Sequence, residues 1–357
     1  MTKWVILLLA IISGLVTAFF LKTLDAIASI REDNSSLIWL LPFGGLIIVW
    51  LYRNFGEKAT RGNLHIKYTY RIKDEQGQAS ITPLVYFGTL ITHLFGGSAG
   101  REGTAVQMSF GIGAYLQGIF PAVKEDKKLI IQSAVAAGFS AVFGTPVAGF
   151  LFSMEYLNDW KKKSWELVYI IGASFIAHFT VLGLGVKHTD YHYTLNDPWS
   201  LRLILFALLF VLVSYLVGWG YRYISQRMSE MMKHFFTNEF LRVLVGGVLL
   251  VLMIYLLGTT RHIGLGVAVI EESFTLYQNG SDWIIKLLLT AFTLAVGFRG
   301  GDVTPLFFIG ATLGSWFAGW INAPAAVFAS IGFVLVFGSA YKTPLTTLVL
   351  FVELFLF

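Results

Sequence analysis

The chain has no cysteine among its 357 residues, which excludes disulfides, thiolate metal sites and cysteine nucleophiles without naming a compartment. Charge is almost as scarce, at 13% of residues, where soluble domains carry about 25%. There is no His-Glu-x-x-His pair, and His65, His93 and His178 have no metal-like spacing. No basic recognition helix or RNA-binding signature accompanies the net charge of +5, so no metal, cofactor or nucleic-acid partner is expected. What is present is apolar. Hydrophobic residues make up 56% of the chain, with 31 Phe, 15 Tyr and 10 Trp, a load that suits packed spans and interfacial belts in a lipid bilayer. These observations predict an all-α polytopic membrane protein.

Met1-Thr2-Lys3 followed by Trp4 to Phe20 has the composition of a signal peptide, but the run reaches Leu21 without a small-x-small cleavage site and is read as a first transmembrane helix. Asp25 to Ser36 reads as a polar connection and Leu37 to Tyr52 as a second span. The chain then turns basic from Arg53 to Lys73, which predicts a cytoplasmic face shared by Lys124, Lys127, Lys128 and Lys161-Lys162-Lys163. Later elements are a span at Trp165 to Leu184, a polar connection at Lys187 to Ser200, a span at Ser200 to Tyr223, a basic loop at Arg222 to Lys233, and apolar elements at Phe240 to Leu257, Ile263 to Leu276 and Trp283 to Gly297. Ala105 to Leu116 and Val147 to Tyr156 are too short to cross alone, because a helix needs about 20 residues to traverse the apolar layer. Broken helices of this kind meet near the midplane in transporters.

An internal repeat organises the chain. Gly100-Arg101-Glu102-Gly103-Thr104 precedes Gly300-Gly301-Asp302-Val303-Thr304-Pro305 by 200 positions, and Thr145-Pro146 with Glu155 is echoed by Thr343-Pro344 with Glu353. A duplication predicts two membrane repeats, residues 1–190 and 191–357, with the substrate where equivalent broken helices face each other. The second repeat ends shortly after Glu353, so it is expected to lack its last helices. An arginine and a glutamate at bilayer depth each cost about 2.5 to 3.5 kcal/mol on insertion scales, so Arg101-Glu102 requires a partner, a cavity or a function. Helix starts after the two glycine breaks offer unpaired N–H groups that attract anions.

Gly100-Arg101-Glu102-Gly103, the repeat and the proline-led helices together resemble the CLC chloride channel and transporter family over nearly the whole chain. The resemblance implies a fold of two inverted repeats with broken and re-entrant helices meeting at the midplane, a bacterial inner-membrane location, and a homodimer in which each subunit has its own pathway. In the wider family a C-terminal segment supplies a pathway tyrosine. Departures point to a branch. Arg61-Gly62-Asn63-Leu64 stands where chloride-handling members carry Gly-Ser-Gly-Ile-Pro, Thr104 replaces a proline, Val303 replaces a phenylalanine, and Tyr156 stands where proton-coupled chloride exchangers have a second acid. Gly-Gly-Asp-Val-Thr-Pro-Leu-Phe is similar to the fluoride-exporting branch. That resemblance implies fluoride/proton antiport, with chloride/proton exchange or a chloride channel as the alternative.

The residues expected to bind the anion are Gly100, Arg101, Gly103, Thr104, Asn63, Gly301, Val303 and Thr304, and Glu102 is the expected gate and proton carrier. Backbone N–H groups at Gly103–Ala105 and Val303–Thr304 would replace hydration, with the Thr304 hydroxyl, the Asn63 amide and phenylalanine ring edges completing the shell. Ionised, Glu102 occupies the anion's place; protonated, it swings away. Rival readings stand beside these. Glu102 could pair structurally with Arg101, although neighbours on a helix do not face each other. Arg101 could set the field without touching the ion. Thr304 and Asp302 could cap their helix, and Gly62-Asn63 could be an ordinary turn. The recurring Glu155 and Glu353 suit a structural role at helix ends. His65, His93 and His178 are expected to be hydrogen-bonded fillers, and the Phe-rich runs to be core or lipid contacts. Gly96-Gly97-Ser98-Ala99 lacks the Gly-x-Ser-Gly order of an intramembrane serine protease, so an enzyme is disfavoured, and the buried charge pair argues against an inert scaffold.

Overall fold

A computed structural model describes residues 1–56, 58–73, 75–189, 191 and 200–356. Among these residues there are helices and no strand. The first half comprises α1 (Thr2–Asp33), α2 (Leu41–Phe55), α3 (Asn63–Arg71), α4 (Ile81–Leu94), α5 (Glu102–Ile119), α6 (Lys127–Phe143), α7 (Pro146–Leu157) and α8 (Ser164–Gly183). The second comprises α9 (Leu201–Phe235), α10 (Glu239–Leu257), α11 (Val267–Glu272), α12 (Asp282–Val296), α13 (Val303–Ile321), α14 (Ala325–Tyr341) and α15 (Pro344–Phe355). Six segments are long and apolar enough to cross a membrane, among them α1, α8, α9, α10 and α13. α5, at 18 residues, is longer than the expected Ala105–Leu116 element, whereas α7 and α15 are short, at 12 residues each. The predicted junction between the halves, and most of the Lys187–Ser200 connection, lie outside the described residues.

Three expectations are corrected. Asp25 to Asp33 is not a connection but the last turns of α1. The supposed basic loop Arg222–Lys233 is the end of α9, where Arg227 pairs with Glu230 at 3.6 Å and Gln226 donates to the same glutamate at 3.0 Å. Good helix formers with such pairs continue a helix whether or not lipid surrounds it. Conversely, Ile263–Leu276 is helical only over Val267–Glu272, because Gly264 and Gly266 take positive φ of 58° and 76°.

Basic segments gather on one face, as the lysine pattern predicts. Lys127 Nζ donates to the carbonyls of Ile72, Lys73 and Glu75, and Lys162 pairs with Asp159 at 3.0 Å and donates to Tyr70 Oη at 3.2 Å. Glu353, near the end of α15, accepts from the N–H groups of Val147 and Ala148 at the start of α7, while Glu155, near the end of α7, accepts from Leu345 and Thr346 at the start of α15. These equivalent helices therefore lie antiparallel, as an inverted repeat requires. Elsewhere packing is close: a Cβ on Gly310 of α13 would lie 2.0 Å from the carbonyl oxygen of Gly332 in α14, and one on Gly314 2.0 Å from that of Phe328. Small residues four apart let membrane helices touch backbone to backbone.

Candidate anion and proton site

The two glycine-rich breaks meet at the centre. Gly100 and Gly301 form an antiparallel bridge in which Gly100 N donates to Gly301 O at 2.5 Å and Gly301 N to Gly100 O at 2.8 Å. Only glycine fits at this crossing, since a Cβ on Gly301 would lie 2.7 Å from Gly103 N. The bridge sets the start of α5, carrying Glu102, against the start of α13, carrying Val303 and Thr304.

Glu102 is buried, at 2% exposure. Its Oε2 accepts the Thr304 hydroxyl at 2.5 Å, the Thr304 N–H at 3.0 Å and the Arg101 N–H at 3.2 Å. The carboxylate at the start of α5 thus occupies the start of α13, where backbone dipole and unpaired donors favour negative charge. Arg101 does contact it, with Nε 3.7 Å from Oε1. The rule that adjacent residues do not face each other fails here because Arg101 is the N-cap of α5 and lies outside the helix. Arg101 Nε has no hydrogen-bond partner, so the contact is purely electrostatic.

Two small cavities flank this carboxylate, and Glu102 lines both. The inner one, about 10 Å³, is walled by Asn63, Gly103, Val106, Val303, and an aromatic group of Phe139, Phe152, Tyr156 and Tyr341. The outer one, about 20 Å³, is walled by Arg101, Phe143, His188, Tyr191, Thr304 and Phe307 among others. A water requires about 10–15 Å³, so each holds a single small species. Asn63, at the start of α3, touches the site: its amide nitrogen would lie 3.4 Å from a Cβ on Gly103, while its Oδ1 accepts from Gln107 Nε2 at 3.0 Å. Tyr156 Oη donates to the Asn63 carbonyl at 2.9 Å. Thr104 is buried with its hydroxyl 2.8 Å from that of Thr89, and it lines neither cavity.

Asp302 stands at the N-cap of α13 but makes no side-chain cap. Its carboxylate accepts instead from Tyr341 Oη at 2.5 Å and Tyr221 Oη at 3.3 Å. Tyr341, Tyr221, Phe139, Phe152 and Gln107 are the contributors that sequence reasoning missed. The one available signal was the spacing of Phe152 and Tyr156, four apart on one helix face. Of the histidines, His93 is a hydrogen-bonded filler, with its ring nitrogens 2.8 Å from Thr89 O and 3.1 Å from Ala99 O. His65 is not: neither ring nitrogen has a partner, and the ring packs edge-on to Phe110 at 5.4 Å. Phe307, read as core, also faces the outer cavity. Among the described residues no cluster of His, Cys, Asp and Glu could hold a metal ion.

On the basic face, Lys67 Nζ lies 4.0 Å from the centre of the Tyr156 ring. Burial, joined by the charges of Arg222, Arg71 and Lys342, pulls this ammonium down from 10.5 to about 8. A titratable cation thus stands behind a wall of the inner cavity.

The family model described as voltage gated chloride channel matches residues 44–356. The chain is 36% identical to a protein named chloride/fluoride channel protein from Pseudomonas syringae pv. tomato, over 99% of this chain and 80% of that one. It is 25% identical to the H(+)/Cl(-) exchange transporter ClcA of Vibrio cholerae, over 98% of this chain and 80% of the relative. A crystal structure of a CLC-type fluoride/proton antiporter superposes with a TM-score of 0.93 at 32% identity, covering 99% of this chain and 90% of that one. A cyanobacterial Cl-/H+ antiporter shares the fold alone, with a TM-score of 0.84 at 17% identity over 99% and 89% of the two chains.

Proposed function

The chain belongs to the CLC chloride channel and transporter family, and on that premise we propose that it exports fluoride from the cytoplasm in exchange for protons moving inward. The observation that carries this reading is the seat of Glu102: its carboxyl oxygen holds the Thr304 N–H and O–H, the donors that a bare anion in the same place would use. Anion and carboxylate then compete for one set of donors. Protonation removes the charge that those donors stabilise, so the neutral acid leaves, the anion takes its place, and the departing side chain carries the proton. Binding and protonation are coupled because each changes the free energy of the other.

Fluoride is supported by the small inner cavity, by the Asn63 and Val303-Thr304 departures from chloride-handling loops, and by the names of the relative at 36% and the structural neighbour at 32% identity. Aromatic edges from Phe139 and Phe152 and donors at Gly103, Val303 and Thr304 would replace its hydration. The second reading, chloride/proton exchange, is favoured by the exchanger similarity at 25% identity. Neither reading gives the chain an enzymatic reaction. A homodimer with one pathway per subunit, and residues 1–190 and 191–357 as the two repeats, complete the proposal. The many apolar helices and the bacterial relatives agree with a bacterial inner-membrane location.

The test is flux from proteoliposomes loaded with fluoride or chloride. Fluoride efflux accompanied by proton uptake, and its loss of proton coupling in Glu102→Gln, is expected. Equal transport of chloride, or coupled exchange in the variant, overturns the assignment.

A further inference from the structure

A far larger cavity opens on the basic face. It encloses about 570 Å³ and shares no lining residue with the two cavities beside Glu102. Small-molecule sites occupy about 300–1,000 Å³. Its wall carries four cations, Arg61, Lys233, Arg242 and Arg299, against one carboxylate, Glu239. Glu239 neutralises little, being 3.8 Å from Arg242 with its side chain 51% exposed. Glu75 lies 4.0 Å from Arg61 and outside the wall.

Arg242 and Arg299 both bury Nε without an acceptor. A buried donor left unpaired is costly, and more so on a charged group. With four cations against one carboxylate, the wall keeps an excess of positive charge. A halide neither fills this volume nor balances four cations.

We propose that this cavity binds a phosphorylated anion from the cytoplasmic side, held by Arg61, Lys233, Arg242 and Arg299. Guanidinium groups match phosphate oxygens two at a time, and an ammonium adds a point charge. Soluble phosphate esters and the phosphate headgroups of lipids in the inner leaflet share this chemistry. The position gives occupancy a consequence. Arg299 Nη1 donates to Thr60 O at 3.2 Å and its backbone N to Thr92 Oγ1 at 3.2 Å, so the cavity straddles the turn leading to Asn63 and the turn leading to Val303 and Thr304. A bound phosphate ties these two turns together and slows any exchange that requires them to part.

The test uses the purified chain and reads its melting temperature. Inorganic pyrophosphate is titrated into detergent-solubilised protein against sodium chloride of equal ionic strength. In parallel, phosphatidylcholine vesicles with and without phosphatidic acid supply the lipid source. A saturable rise with pyrophosphate identifies a soluble ligand, and a rise confined to phosphatidic acid identifies a lipid. In either case the Lys233→Gln/Arg242→Gln variant should bind about tenfold more weakly. Should that variant not fold, Lys233→Gln alone must weaken binding, since Lys233 is exposed near the end of α9. No saturable rise from either source, or a rise undiminished in the variants, overturns the proposal. Because binding is read rather than flux, a failure here leaves fluoride export standing, and a failure of fluoride export leaves this result intact.

Discussion

Glu155 caps the helix that carries Glu353, and Glu353 caps the helix that carries Glu155. Each carboxylate takes two N–H groups at 2.8–2.9 Å, those just after a proline that has no N–H to offer, and Glu155 adds the Thr346 hydroxyl at 2.6 Å. Hydrogen bonds to a charged group contribute about 1.5–3 kcal/mol. Glu353→Ala and Glu155→Ala should each lower the melting temperature in detergent by several degrees, with the glutamine variants intermediate. Unchanged melting in both alanine variants would remove the caps from the account of stability.

Thr304 gives Glu102 both its shortest contact and a backbone donor that no side-chain change removes. Thr304→Val should therefore weaken the carboxylate's hold without abolishing it, by about 1.5–3 kcal/mol, and because the anion loses the same hydroxyl its own binding should weaken roughly tenfold to a hundredfold. Thr304→Ser should behave as the parent. The measurement is fluoride binding by calorimetry together with the proton-to-fluoride ratio in flux, and parental behaviour of the valine variant would exclude the hydroxyl.

Two glycine substitutions should diverge. Gly301→Ala places a methyl 2.7 Å from Gly103 N, against backbone that cannot step aside, and should destroy activity and folding yield together. Gly118→Ala meets nothing within 4 Å near the end of α5 and should raise stability by about 0.5–1 kcal/mol, as alanine does in helices. Thermal unfolding of the two purified variants decides between these outcomes.

Lys67 supplies a pH dependence. Its pKa of about 8 lies below the ordinary 10.5, so the folded chain bears the cost of a buried charge below pH 8, and this cost fades as pH rises from about 8 toward 10.5. The same loss of charge removes an attraction behind the inner cavity. Fluoride affinity should fall through an inflection near that pH, and Lys67→Arg, which stays charged, should lack the inflection. An identical titration in the arginine variant would assign the effect to another group.

The sequence made the frame legible because duplication writes itself twice: the glycine breaks, the proline-led starts and the paired glutamates all fell where the repeat placed them. Apolar runs found the spans but not their ends, since α9 continues into a polar segment held by Arg227, Gln226 and Glu230 rather than by lipid. Tyr221, Tyr341 and Phe139 escaped because an aromatic residue in an aromatic-rich chain carries no mark of which way it faces. Arg101 was judged by a rule for helix interiors when it stands one position outside. The Gly100–Gly301 bridge, between residues 201 positions apart, had no signal beyond the glycines themselves.

That bridge limits how the molecule can move. Two main-chain hydrogen bonds clasp the halves together at the point where both helix starts converge, so separating the halves there would sever both and strand four polar groups in a dry interior. Motion that spares the clasp keeps the two helix starts in register while a single acid changes its seat.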